Sequence, residues 1–277
     1  MSNKSKNHLI HSVQYILLGM LALICIAPFY IMIINSTRKS HEIVQGLSLV
    51  PGGNLIANFK ALYRTLDIVA ALFNSIRIAL PSTLLTAYFG TLAAYGFAKF
   101  KFRGKNILYW LALSTLMIPM QLSMLGIYQA AGKLKLINTY WPIILPAICN
   151  VSTVFWMRSH MRSVLDISYI EAARIDGYSE LGIFHHIVIP LSRMGLLTIT
   201  IFNFVNAWND YIGPLMFLSK NSKFPLSLAV AIIRQAELQD QGVIYAAVSF
   251  AVFPTLVVYF FLNQKITSGV TAGGIKG

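Results

Sequence analysis

In the stretch NFVNAWND, Asn203, Asn206 and Asp210 recur at i, i+3 and i+7, so one face of a helix carries two amides and a carboxylate. The surrounding run is apolar, and polar groups in hydrocarbon need partners. Either they face a water-filled path or they hydrogen-bond to a neighbouring helix, and the spacing allows both. The other candidates for chemistry are weaker. His185 and His186 are adjacent, so a helix turns them about 100° apart and they cannot share a metal as an i, i+4 pair can. They read as polar-face residues at headgroup depth. Gly104-Lys105 is followed by Asn106 and lacks the upstream glycine of a phosphate-binding loop, so the chain should not hydrolyse ATP on its own. Cys25 and Cys149 stand far apart within apolar runs and read as packing residues. No nucleophile–base pair emerges, which disfavours a membrane enzyme. The lack of deeply placed ionisable residues disfavours an ion-coupled secondary transporter.

A second polar feature lies between Arg158 and Arg193. Asp166, Glu171, Asp176 and Glu180 sit there among Arg158, Arg162, Arg174 and Arg193. Ser168 and Glu171 fit a capping box opening a short helix over 169–176. Gly177 stands where a left-handed residue would stop that helix. Ser179 is placed to cap a second helix running through Ile187, with Glu180 in its first turn. Pro190 then punctuates the start of the next apolar run. Ala172 and Ala173 are small enough for close approach by another surface, and Ile183, Phe184 and Ile187 form an apolar face. Two readings stay open: an amphipathic linker resting on lipid headgroups, or a docking knob for a cytoplasmic partner.

These features must be held by elements that avoid water. Of 277 residues, 56% are hydrophobic and only 11% charged, against about 25% charged in a soluble domain. No charged residue falls between Lys6 and Arg38, Arg77 and Lys99, Lys105 and Lys133, Lys135 and Arg158, or Asp240 and Lys265. Each run exceeds the ~20 residues that span a bilayer as a helix. The sequence therefore predicts an all-α, polytopic membrane protein with one transmembrane domain over 1–277. Its expected spans are 13–35, 76–98, 107–128, 139–157, 192–218 and 243–263, with a polar insert at 158–191 and a tail at 264–277. Asp210 lies about 25 Å along a helix from Arg193, so both charges can reach opposite interfaces.

The net charge of +13 resides largely at the ends of apolar runs, where cations fix topology and attract anionic lipid. Nucleic acid is not an expected partner, since no basic patch is interleaved with exposed aromatics. The loop KFKFRGK carries four positive charges in seven residues, which sets it in the cytoplasm and with it both termini. The N-terminal apolar stretch is too long for a signal-peptide core and reads as an uncleaved span. Pro28, Pro81, Pro119 and Pro254 fall within spans, as simple kinks or as hinges. Gly90, Ala94 and Ala98 form a small-residue stripe at every fourth position, suited to close helix approach.

The insert also carries a resemblance. EAARIDG, nine residues, then IVIP is similar to the EAA loop of permease subunits of bacterial ABC importers, with Ile189 in place of the usual leucine. Tyr178 and Met194 replace a small residue and a proline common in such loops. WNDYIGPLMFL, FPLSLAV and the closing TAGGIKG extend the resemblance over the whole chain, to the MalG-like side of maltose-type carbohydrate importers. That resemblance implies a type I importer permease fold (MetI-like) in a bacterial plasma membrane. It implies a second, MalF-like permease, two ATPase subunits and an extracytoplasmic sugar-binding protein, beside membrane lipid. No cofactor is implied in this chain; ATP and magnesium would be bound by the ATPase subunits. It further implies that Glu171, Ala172, Ala173, Asp176, Gly177, Ile187 and Pro190 couple to the ATPases, with Glu171 meeting a basic residue there. The tail from Gly269 to Gly277 would be a second contact. A permease for glycerol phosphate or a peptide is the alternative within the same family.

Overall fold

The computed structural model describes residues 3–235 and 240–273, and the elements there are helices with short connections. In order they are α1 (Asn3–Ser36), α2 (Ser40–Val44), α3 (Leu55–Thr65), α4 (Ile68–Lys99), α5 (Lys105–Ser114), α6 (Met120–Lys133) and α7 (Trp141–Ala147). There follow α8 (Val151–Val164), α9 (Ile167–Ile175), α10 (Glu180–Ile183), a π-helical turn (Phe184–Val188), α11 (Ile189–Leu191), α12 (Arg193–Asn209) and α13 (Ile212–Phe217). The last two are α14 (Leu226–Gln235) and α15 (Gln241–Gly273). The outermost residues of the expected tail, 274–277, lie outside the described residues; the rest of that tail continues α15.

Two compact units divide the chain, one of residues 1–66 with 232–252, the other of 67–231 with 253–277. In the first unit the apolar helix α1 is exposed over most of its length, as a lipid-facing span would be, and is buried only at its end, at Ile34, Asn35 and Ser36. In the second unit α4 is the central post. It packs along α8, α12 and α7, and it buries a polar row (Asn74, Ser75, Ser82, Thr83, Thr86, Thr91) among its alanines. Asn74 Nδ2 donates to the carbonyls of Ser222 at 2.9 Å and Phe224 at 3.2 Å, and its Oδ1 accepts from the Tyr140 hydroxyl at 2.8 Å. The Ser75 hydroxyl accepts from the Leu226 N–H at 2.8 Å. Polar side chains that satisfy loop backbone in this way fix where a span meets the loops around it.

The spans differ from the expected set in ways that single residues explain. Among the described residues three helices are long and apolar enough to cross a bilayer, His11–Ser36, Ile68–Lys99 and Gln241–Phe261, or five if each of two bent pairs counts as one span. The expected span 76–98 starts earlier because Asp67 caps α4, its Oδ1 accepting from the Ala70 N–H at 3.0 Å. The expected straight span 107–128 is instead two helices at 99°. Pro119 drives Ile118 into extended backbone at φ −81°, ψ 122°, which ends the first helical piece. The expected span 139–157 is broken into α7 and α8, where Asn150 takes extended backbone and its Oδ1 caps the Thr153 N–H at 2.9 Å. The expected span 192–218 breaks at Asp210, whose backbone is extended at φ −65°, ψ 118°. By contrast α1, α4 and α15 run through Pro28, Pro81 and Pro254 without a break.

The small-residue stripe is where α4 meets α8. A Cβ on Gly90 would stand 2.5 Å from Thr153 Cγ2. Ala94 is wholly buried beside Met157 and Met161. Glycine and alanine let the two backbones close on each other, which in a bilayer substitutes packing for the missing hydrophobic drive.

Candidate functional site

The polar insert folds as a helix, a glycine turn and a second helix. Its first cap is Asp166 and not the expected Ser168: the Asp166 Oδ1 accepts from the Ser168 N–H at 3.0 Å, and α9 starts at Ile167. An aspartate two residues upstream already satisfies the free N–H groups, so Ser168 is absorbed into the helix. The Ser168 backbone N–H, then its hydroxyl, holds the Asp166 carboxyl below the usual carboxylate range. The cap is thus fully present above that range and is lost as pH falls through the lowered value.

Gly177 ends α9 as the sequence predicts. Its φ is +82°, the Gly177 N–H donates to Arg174 O at 3.1 Å, and the Tyr178 N–H donates to Ala173 O at 3.0 Å. This pair of bonds is the Schellman arrangement, which needs a left-handed residue at that position. The Ser179 hydroxyl then accepts from the Gly182 N–H at 3.1 Å and opens α10. The second helix does not stop at Ile187. It widens into the π turn, continues through Pro190 in α11, and breaks only at Ser192, after which α12 departs at 85°. His185 and His186 lie on this turn, their Nδ1 atoms 2.7 and 2.9 Å from the carbonyls of Leu181 and Gly182.

Both helices are anchored from beneath. Ile170, Ala173, Ile183, Phe184 and Val188 are buried with Ala94, Tyr95, Met157, Met161 and Leu165 in one apolar cluster. Arg174 Nε and Glu180 Oε1, 2.7 Å apart, tie the two helices across the turn. The Tyr95 hydroxyl donates to the other Glu180 oxygen at 3.2 Å. Lys99 Nζ donates to the carbonyl of Leu165, where α8 hands over to the insert. Above this anchored floor Ala172, Ala173, Asp176, Ile187 and Pro190 line one open groove of about 430 Å³. Gly177 forms the turn at its end. Glu171 is exposed on α9 without lining the groove, and Ile175, one turn on, is 87% exposed. Separate stretches of sequence thus share one concave, solvent-facing surface.

A second cavity, of about 560 Å³, lies between α8 and α12. Asn150, Trp156, His160, Thr198 and Asn206 are among its lining, and none of the lining side chains is a lysine, arginine or carboxylate. The three polar residues of the NFVNAWND face do different things. Asn203 is buried and pairs with Thr153, Nδ2 to Oγ1 at 3.1 Å, at the edge of the cavity. Asn206 is exposed and lines the cavity. Asp210 turns onto backbone, its Oδ1 accepting from the Gly213 N–H at 3.1 Å while its carbonyl accepts from the Ser227 hydroxyl at 2.8 Å. Its other oxygen fills the space a Cβ on Gly213 would need, at 2.6 Å.

Several residues of this cavity escape sequence reasoning. Trp156 and His160 read as ordinary members of an apolar run and its edge. Gly195 gives no motif, yet its N–H donates to His160 Nε2 at 3.2 Å and a Cβ there would stand 2.3 Å from the imidazole. The signal in principle was Gly195 itself, a glycine in the first turn of a spanning helix.

The sequence profile of a family described as the inner membrane component of binding-protein-dependent transport systems matches residues 86–271. The chain belongs to that family. The match takes in the whole insert and both walls of the α8–α12 cavity and leaves α1 to α3 outside. Among relatives, the arabinooligosaccharides transport system permease protein AraQ of Halalkalibacterium halodurans is 31% identical over 93% of each chain. The lactose transport system permease protein LacG of Rhizobium radiobacter is 30% identical over 95% of this chain and 96% of its own. The fold is that of a chain in the crystal structure of a bacterial ABC transporter involved in the import of the acidic polysaccharide alginate. The two superpose with a TM-score of 0.79 at 21% identity, over 95% of this chain and 98% of that one. This permease is accordingly a multi-pass membrane subunit of a binding-protein-dependent transport system, and its work is transport and not catalysis.

Proposed function

We propose that this permease forms half of the translocation path of an ATP-driven saccharide importer and that its insert is the part that receives the ATPase stroke. The observation that carries the coupling role is the groove on the insert. Ala172, Ala173, Asp176, Ile187 and Pro190 line it, and its floor is packed into the cluster beneath α4 and α8. A rigid, concave surface fixed to the spans passes displacement to them, whereas a linker floating on lipid would not. The insert then faces the cytoplasm, as do the loop Lys99–Lys105 and both termini. Two ATPase subunits binding ATP and magnesium meet it there, a MalF-like permease completes the path, and an extracytoplasmic binding protein delivers the solute.

The saccharide assignment rests on the arabinooligosaccharide and lactose relatives and on the α8–α12 cavity. Amides, two hydroxyls, an indole and an imidazole without a lysine, arginine or carboxylate suit a neutral polyhydroxylated solute better than glycerol phosphate, which would call for a fixed cation.

The test is Glu171→Lys in the full assembly reconstituted in liposomes with its ATPase subunits and binding protein. Reversing a charge that faces a basic partner removes about 2 kcal/mol or more, roughly thirtyfold in coupling. Membrane insertion and subunit assembly are expected to match wild type while saccharide-stimulated ATP hydrolysis collapses. Full stimulated hydrolysis in the variant would sink the coupling role. For the path, single cysteines in a background lacking Cys25 and Cys149 separate the two amides. Asn206→Cys is expected to react with a water-soluble maleimide in one conformational state, whereas Asn203→Cys stays protected. Equal protection at both would make the α8–α12 cavity a packing defect.

A further inference from the structure

Helix α3 lies outside the region matched by the family profile, and its two faces are unlike. Asn58 and Leu62, at i and i+4, are buried. Ile56, Lys60 and Tyr63 recur at i, i+4 and i+7 on the opposite face. Ile56 is 71% and Tyr63 58% exposed, and Arg64 is exposed beside them. Leu55 and Phe59 complete a shallow groove with these four. The helix LIANFKALYRT holds two cations and no acid, and the first acid after it, Asp67, is engaged in capping α4.

The height of α3 in the membrane follows from what holds it. The Asn54 N–H donates to Thr37 O at 2.7 Å, and the Gly52 N–H donates to Thr37 Oγ1 at 2.7 Å. Asn58 Nδ2 donates to the carbonyls of Ser36 and Arg38 at 2.8 and 2.9 Å. These are the residues at which α1 ends. Gly242, at the start of α15, closes on the same spot, where a Cβ would meet Arg38 O at 2.6 Å and Asn58 Nδ2 at 2.7 Å. The end of α1 thus hydrogen-bonds to α3 and the start of α15 packs against it, so α3 lies level with the ends of both apolar helices.

We infer that α3 is an interfacial helix that seats its Ile56–Tyr63 face among acyl chains and binds anionic phospholipid headgroups through Lys60 and Arg64. Apolar side chains, a tyrosine and snorkelling cations on one face of a helix held at that depth match the chemistry of a headgroup layer. The lipid-facing surface of α1 is continuous with it in the chain.

The experiment uses the complete transporter in nanodiscs. Ile56→Cys, in the background lacking Cys25 and Cys149, is labelled with bimane. Quenching by brominated phosphatidylglycerol is compared with quenching by brominated phosphatidylcholine. The expected result is strong quenching by both lipids, weak quenching by aqueous iodide, and a several-fold preference for phosphatidylglycerol at low salt. Lys60→Glu with Arg64→Glu should abolish that preference. Equal quenching by both lipids in the parent protein would overturn headgroup recognition. Strong iodide quenching that disappears only when the binding protein is added would overturn the lipid assignment in favour of a protein contact.

Discussion

Gly177→Pro is expected to leave the permease inserted and assembled but to abolish saccharide-stimulated ATP hydrolysis. The reason is local and double. Proline fixes φ near −65°, whereas the turn requires +82°. Proline also lacks the N–H that Gly177 donates to Arg174 O at 3.1 Å. The Schellman turn cannot form, so α9 and α10 lose their relative orientation and the groove between Ala172 and Pro190 loses one wall. The apolar anchors Ile170 and Ile183 still bury, which is why insertion survives. Loss of a docking surface of this kind amounts to about 2 kcal/mol or more at a hot spot, roughly a thirtyfold fall in stimulated rate. Gly177→Asn is the control, because asparagine tolerates the left-handed region and should keep most of the activity. Comparable loss in both variants would mean that the glycine matters for space and not for the turn. Wild-type hydrolysis in Gly177→Pro would remove the insert from the coupling path altogether.

Gly90→Ala should lower the thermal stability of the permease, and Thr153→Ser should partly restore it. The new Cβ would meet Thr153 Cγ2 at 2.5 Å, on the contact between α4 and α8. Neither helix can retreat freely: α4 is also packed against α12 and α7, and Thr153 is held by Asn203. Overpacking of this kind costs about 1–3 kcal/mol. Thr153→Ser deletes the clashing methyl and keeps the hydroxyl for Asn203, so the double variant should unfold closer to wild type than Gly90→Ala alone. The midpoint of thermal unfolding of the detergent-solubilised transporter reads this out. An unchanged midpoint in Gly90→Ala, or no recovery with serine, would show that the α4–α8 contact is looser than its geometry.

The residues of the insert were the most legible part of the sequence, because turn chemistry is local. Gly177 and Ser179 do what their types and neighbours dictate. Ser168 misled because Asp166, two residues earlier, competes for the same N–H groups, and only relative backbone position decides between two competent caps. The second helix outran its expected end because proline is tolerated in a first turn, and the π turn ahead of Pro190 lets the chain continue to Ser192.

Composition and uncharged run length by themselves determined that this chain is helical and crosses a membrane several times. Those properties are set residue by residue, by the cost of charge in hydrocarbon and the length needed to cross it. Only the tertiary structure decided which apolar runs are broken, at Ile118, Asn150 and Asp210, and what the polar face of α12 is for. Three residues at helical spacing were equivalent in sequence. In the fold one is spent on Thr153, one on the backbone of Gly213, and Asn206 is exposed to the cavity. A side chain's partner sits on another segment, and periodicity within one segment carries no information about what stands opposite it.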